Sequence, residues 1–193
     1  MEHKDSAKII TGKMKKIAKE LSKHYTVKIG LLASQGGGEP ISPNLDLAGL
    51  GAVQEYGAKI PVTDKLRNFF RWKFGINLKK STTEIEIPAR SWLYAPIKDS
   101  NFKKTIYDYV GDEELLEYAD KDFMKKLANI IGNVGLLQIQ KAFNNGGING
   151  EWTPNSQLTI AQKGSVKPLI DEGYMRSRVT FEVEWWILIK TEV

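Results

Sequence analysis

Apolar positions recur along this chain with two different periods. Ile10, Met14, Ile17, Leu21 and Tyr25 are spaced four, three, four and four apart. That is the spacing of one face of an α-helix, and it predicts an amphipathic helix over residues 6–25. Val27, Ile29 and Leu31 then alternate as on a half-buried strand. Residues 46–56 suit a short helix with Asp46 as its cap and Gly57 as its stop. Thr83, Ile85 and Ile87 alternate with Glu84 and Glu86, predicting a strand at 83–87 that Pro88 ends. The longest helical pattern covers residues 112–143, where Leu116, Ala119, Phe123, Leu127, Ile130, Val134 and Leu137 keep a three-four spacing. Asp112, Glu113, Glu114 and Glu117 crowd its start, where carboxylates complement the helix dipole. Gly132 and Gly135 each cost about 1 kcal/mol against alanine, which marks a bend or another backbone packed close. A final alternation over 179–189 predicts a strand.

Together these elements predict one α+β domain. A mixed or antiparallel sheet is packed against the long helix 112–143 and the N-terminal amphipathic helix. Residues 61–83 read as an insertion that interleaves Leu66, Phe69, Phe70, Trp72 and Phe74 with six lysines and arginines.

Charge changes this picture at one place. Residues 1–28 hold eight lysines against Glu2, Asp5 and Glu20, which accounts for the whole net charge of +5. The basicity therefore belongs to a segment and not to the whole surface, which weakens a nucleic-acid reading of the high pI. No apolar run approaches the roughly 20 residues that span a bilayer. The N-terminus is polar and lacks the apolar stretch of a secretory signal. There is no cysteine, so thiol nucleophiles, disulfides and zinc fingers are excluded.

Little in the chain points to catalysis. His3 lies at the terminus and His24 at the predicted end of the first helix, neither near a nucleophile elbow. The Gly36-Gly37-Gly38 run continues into Glu39-Pro40, not into the Lys-Ser/Thr of a phosphate-binding loop. It reads as a mobile loop. Glu84 and Glu86 share a strand face, as metal-binding carboxylates do, but Pro88-Ala89 stands where further ligands would be needed. No enzyme activity, metal or cofactor is expected. The aromatic–basic stretch 61–83 has two readings. Its rings can stack on bases beside phosphate-neutralising cations. Alternatively Leu66, Phe69, Phe70 and Phe74 form the buried stripe of a short helix, and this second reading is preferred.

The second half carries an ordered series of motifs. Trp152-Thr153-Pro154-Asn155-Ser156 is followed by Thr159-Ile160-Ala161-Gln162-Lys163, then by Lys167-Pro168-Leu169-Ile170-Asp171-Glu172-Gly173, then by a strand. Earlier stand Val53-Gln54-Glu55-Tyr56-Gly57 with Ile60-Pro61, and Ile87-Pro88-Ala89-Arg90-Ser91-Trp92-Leu93. In order and spacing this resembles the Mu-like phage virion-morphogenesis family, related to tail-completion and neck proteins of tailed phages. The resemblance covers residues 27–184. Asn155 stands where leucine is commoner in the family, and Glu172 where threonine is. Pro88-Ala89-Arg90 is expected to end a strand and project a cation, and Trp152 with Pro154 to pin a turn onto the core. Asp171 and Gly173 are expected to cap the turn that holds Met175.

The resemblance implies a structural, non-enzymatic subunit that joins copies of itself in a ring. Its partners would be tail-tube or terminator and connector or portal-associated proteins, with no membrane and no direct nucleic-acid contact. It would act at the virion neck or head-proximal tail end, after assembly in the host cytoplasm. Gly57, Pro61, Pro88, Arg90, Trp92, Trp152, Pro154, Lys167, Pro168, Asp171 and Gly173 are the structural or interface residues it implies. Loops 36–40, 79–83 and 144–150 are expected to order on assembly. The alternative is a nucleic-acid-binding protein using the basic first helix or the aromatic–basic stretch.

Overall fold

The computed structural model describes residue 12 and residues 14–110, 122–170 and 173–186. The first helix, α1, is helical over residues 14–21. It gives way to β1 (His24–Gly30), then to a 3-10 turn at Ala33–Gln35 and the small hairpin β2 (Pro40–Ser42) and β3 (Leu45–Asp46). Next come α2 (Leu47–Tyr56), β4 (Ala58–Pro61), α3 (Asp64–Phe74) and β5 (Glu84–Ile87). Two helices, α4 (Tyr94–Lys98) and α5 (Ser100–Val110), precede the long helix α6 (Phe123–Asn145). The chain continues through α7 (Gln157–Lys163) and α8 (Tyr174–Ser177) into β6 (Thr180–Trp186).

The fold is α+β, and among the described residues its strands form three antiparallel pairs. β1 pairs with β6 over their full length, from His24 opposite Trp186 to Gly30 opposite Thr180. β4 pairs with β5, so residues 62–83 are an excursion between two strands of one ribbon.

The β1–β6 pair packs on α6, and small residues make this possible. Ala128, Gly132, Gly135, Ile139 and Ala142 all turn inward at helical spacing. A Cβ on Gly132 would lie 2.2 Å from the Phe181 ring, and one on Gly135 would lie 2.5 Å from Ile29. The two glycines therefore mark close packing and lose their side chains to it. Phe123 and Val134 of the predicted stripe are buried, but Leu137 is 40% exposed, so the stripe holds only in part. Size decides the face here: the sheet approaches so closely that the inward positions must be small. The α6 C-terminal end supplies Phe143, which packs between Trp92 and Trp152. Leu47, Ile139, Met175 and Val179 complete the core.

Several predicted boundaries move. Asp122 is left-handed (φ 78°), so α6 starts at Phe123, and residues 112–121 of the predicted helix lie outside the described residues. Tyr25 belongs to β1 because pairing with β6 draws 24–30 into extended backbone. His24 accordingly opens a strand and does not end a helix. Met14 and Leu21 of the predicted first stripe are exposed, while Glu20 is buried and accepts from the Met124 N–H at 3.4 Å. Three helices, α4, α5 and α7, were not predicted. α7 is too short for periodicity, yet it is capped by Ser156, which accepts from the Thr159 N–H. α5 carries Phe102 as its buried residue.

The three loops expected to order on assembly are each tied by a charged side chain. Arg67 donates to the carbonyls of Leu78, Lys79, Lys80 and Thr82. Glu151 accepts from the N–H groups of Ile148 and Asn149. Glu39 joins Arg178 at 3.0 Å and accepts from the Tyr174 hydroxyl. The glycine run before it is a packed turn. A Cβ on Gly37 would lie 2.3 Å from the Leu31 carbonyl oxygen, and the Gly37 carbonyl accepts from the Ala48 N–H.

The α6 seam yields a test. Alanine at position 132 gains helix propensity of up to about 1 kcal/mol, but crowding Phe181 costs about 1–3 kcal/mol. Gly132→Ala should lower the urea midpoint, and Phe181→Leu in the same chain should recover part of the loss. A more stable Gly132→Ala chain would show that the seam is loosely packed.

Candidate functional site

The motif residues that are far apart in sequence meet at one junction. Its frame is the C-terminal turn of α2, the corner 88–93 after β5, and the segment 152–154 after α6. Gly57 ends α2 with φ 74°, and a Cβ there would lie 2.8 Å from the Ile87 carbonyl and 2.9 Å from the Ala89 nitrogen. Both the dihedral and the approach call for glycine. The corner is then stitched to α2, as the Arg90 N–H donates to the Gln54 carbonyl at 2.8 Å.

Two buried charged groups hold this junction. The Glu55 carboxylate accepts from the Ser91 hydroxyl at 2.5 Å. It also accepts from the N–H groups of Trp92, Leu93 and Tyr94 at 2.8, 2.8 and 3.2 Å. These donors are the open N–H groups at the start of α4, so Glu55 satisfies them from another element. Arg90 donates through Nε to the Thr153 carbonyl at 2.8 Å, and through its terminal nitrogens to the Pro154 carbonyl and to Gln54. Burial holds its guanidinium below the ordinary arginine value. The cation is therefore turned inward to clamp 152–154, not projected outward. Carbonyl acceptors make the site geometry-specific, because a planar fork reaches several at once.

The aromatic groups lock the same parts. Trp92 Nε1 donates to the Gly51 carbonyl at 2.8 Å and Trp152 Nε1 to the Ser91 carbonyl at 3.4 Å. Trp92 and Trp152 stand 5.9 and 5.7 Å from the Phe143 ring centroid. Trp152 thus pins the turn through its buried ring, whereas Pro154 is exposed and contributes its backbone carbonyl.

Beside the junction opens a groove of about 790 Å3. Leu47 and Leu50 of α2, Ile85 and Ile87 of β5, Phe70 and Phe74 of α3, and Leu158 of α7 line it, with Pro88 and Pro154. Glu86, Arg90, Lys163 and Tyr174 are the ionisable side chains in this lining. The excursion 62–83 accordingly has two faces. Phe70 and Phe74 look into the groove, while Trp72 is 81% exposed.

The remaining motif residues lie elsewhere. Pro61 ends β4 opposite Glu84 and is exposed. Lys167 is exposed, and its carbonyl accepts from Asn155 at 3.1 Å and from Lys163 at 2.9 Å. Asn155 also reaches the Ser165 and Val166 carbonyls, so its amide staples the loop where leucine would pack. Pro168 is half-buried, and Gly173 occupies the N-cap position of α8. Asp171 lies outside the described residues. Glu84 pairs with Lys59 at 3.2 Å. Among the described residues no group of three or more histidines, aspartates and glutamates is placed to hold a metal ion.

Glu55, Gln54 and Ser91 are the residues that sequence reading missed. A signal for Glu55 existed. A carboxylate in the last turn of a helix opposes the dipole, so it needs a partner from elsewhere. Comparison with family models, with curated proteins and with solved structures finds no match.

Two expectations follow from these contacts. Glu55→Ala leaves four donors without their acceptor and should cost about 2–4 kcal/mol. Arg90→Lys should cost about 1–2 kcal/mol, because an ammonium cannot span the same carbonyls. Urea unfolding of both variants measures this, and wild-type midpoints would remove the junction from the determinants of stability.

A further expectation concerns Glu151. Burial raises its carboxyl, but the backbone N–H groups of Asn149, Glu151 and Ile148 outweigh this and hold it below the ordinary value. A depressed carboxyl contributes stability above its unfolded value, near pH 4, and loses it as pH falls through the folded value. The stability gap between wild type and Glu151→Gln should therefore be full at pH 7 and close below about pH 4. A gap independent of pH would contradict the charged clamp.

Proposed function

We propose that this chain is a structural virion-assembly subunit of a tailed phage or prophage. It acts in tail completion or head–tail joining as a ring-forming subunit, without enzymatic activity. One observation carries the reading. Gly57, Arg90, Trp92, Trp152 and Pro154, which bear the resemblance, meet at a single junction whose charged groups are engaged by backbone. Arg90 and Glu55 are committed to holding three segments together, which is an architectural role. Such a junction gives the apolar groove and the α3 excursion a firm base, and rigid surfaces of this kind suit docking between subunits.

The experiment is an in-frame deletion in the phage or prophage that encodes the chain, followed by electron microscopy of induced lysates. Unjoined heads and tails, or tails of abnormal length, are expected, with infectivity restored by the gene in trans. Mass spectrometry of purified wild-type particles should find the chain in stoichiometric amounts. Normal, infectious particles made without it would overturn the reading.

A further inference from the structure

The α3 excursion is anchored on one side only. Phe70 and Phe74 face the groove, and Arg67 is used on the carbonyls of 78–82. What faces solvent is Lys65, Arg71, Lys73, Lys79 and Lys80, with Trp72 81% and Phe69 46% exposed among them. No residue of α3 is fully buried. Over residues 61–83 six cations stand against Asp64 alone. A naked tryptophan ringed by cations fits a partner that offers carboxylates around an apolar centre.

The chain itself contains that complement. Residues 111–122 carry Asp112, Glu113, Glu114, Glu117, Asp120 and Asp122 against Lys121 alone, together with Leu115, Leu116 and Tyr118. The opposed charges match in number, and apolar residues accompany both. Within one chain the arm and Asp122 lie toward opposite ends of α6. Phe70 and Phe74 of α3 line the same groove as Pro154, close to where the C-terminal end of α6 brings Phe143 to Trp152. Asp122, the described residue at the end of the acidic stretch, stands at the other end of α6, just before Phe123. α6 has 23 residues and is about 34 Å long. Lys23, which feels Asp122 in the same chain, is already held by Glu20 at 2.5 Å.

We propose that residues 61–83 are a docking arm for a second copy of this chain, whose acidic stretch 112–122 they engage head to tail. The contact is heterologous, which is the kind that closes into rings. It rests on the ring-forming reading above and names the surfaces that reading would use.

The chain has no cysteine of its own, so engineered pairs report cleanly. Full-length Asn68→Cys and Ala119→Cys chains are mixed and treated with a short bis-maleimide. The mixed dimer should exceed either homodimer and fade as salt shortens the Debye length. Adding Lys65→Glu, Arg71→Glu and Lys73→Glu to the first chain should reduce it on the order of tenfold. Placing Asp112→Lys, Glu113→Lys and Glu117→Lys in the second chain should then restore it. Circular dichroism checks that the substitutions leave the fold intact. Equal homo- and heterodimer yields, or indifference to charge reversal, would overturn the proposal. So would single-stranded DNA binding that is lost on arm reversal while no mixed dimer forms. The outcomes separate the two readings. A chain present in particles but forming no mixed dimer removes this contact alone. A mixed dimer from a chain absent from particles removes the virion role alone.

Discussion

Four donors converge on the Glu55 carboxylate, and the positions of three elements depend on that convergence. A carboxylate at the C-terminal end of a helix is poorly placed with respect to its own dipole. Here it is placed well with respect to another helix, whose open N–H groups it receives. That exchange fixes the corner 88–93 against α2. With the corner fixed, Arg90 is aimed at 152–154 and Trp92 at Phe143. The end of α6 and the segment after it are thereby held in place. The groove walls are built from the same pieces, so its shape is set by a polar contact that it does not contain.

The second constraint is steric. Ala128, Gly132, Gly135 and Ala142 give α6 a nearly flat face, and β1 and β6 lie down on it through Ile29 and Phe181. Aromatic bulk is moved from the helix to the sheet. The same helix can then pack α5 on another side without widening the core.

Much of this was legible in the chain. The Asp46 cap and Gly57 stop of α2 are local signals and appear where the sequence places them. So do β1 and the β5 alternation, while Gly132 and Gly135 admit side chains, Phe181 and Ile29, where a bend or a neighbouring backbone was expected. Periodicity failed where packing overrode it. The predicted stripe kept Phe123 and Val134 inside but not Leu137, and toward the sheet the inward positions are the small ones. Helix ends were misplaced for a related reason. A left-handed Asp122 is not written in any hydrophobic pattern, and Tyr25 is strand only because β6 lies opposite. At the junction the aromatic and glycine positions were legible as motifs. The inward turn of Arg90 was not, since a cation after a proline says nothing about which carbonyls will surround it.

The pairing of β1 with β6 has a consequence for synthesis. Lys28 meets Glu182 and Gly30 meets Thr180 across some 150 residues of intervening chain. Such a contact closes late, because a long loop loses its freedom before any pairing rewards it. On the ribosome, α6 is therefore made well before the strand that covers Gly132 through Phe181. For that interval its flattest apolar face and the free edge of β1 are open together. Translation reaches β6 last among the described elements, and its arrival completes the sheet and covers the helix in the same step.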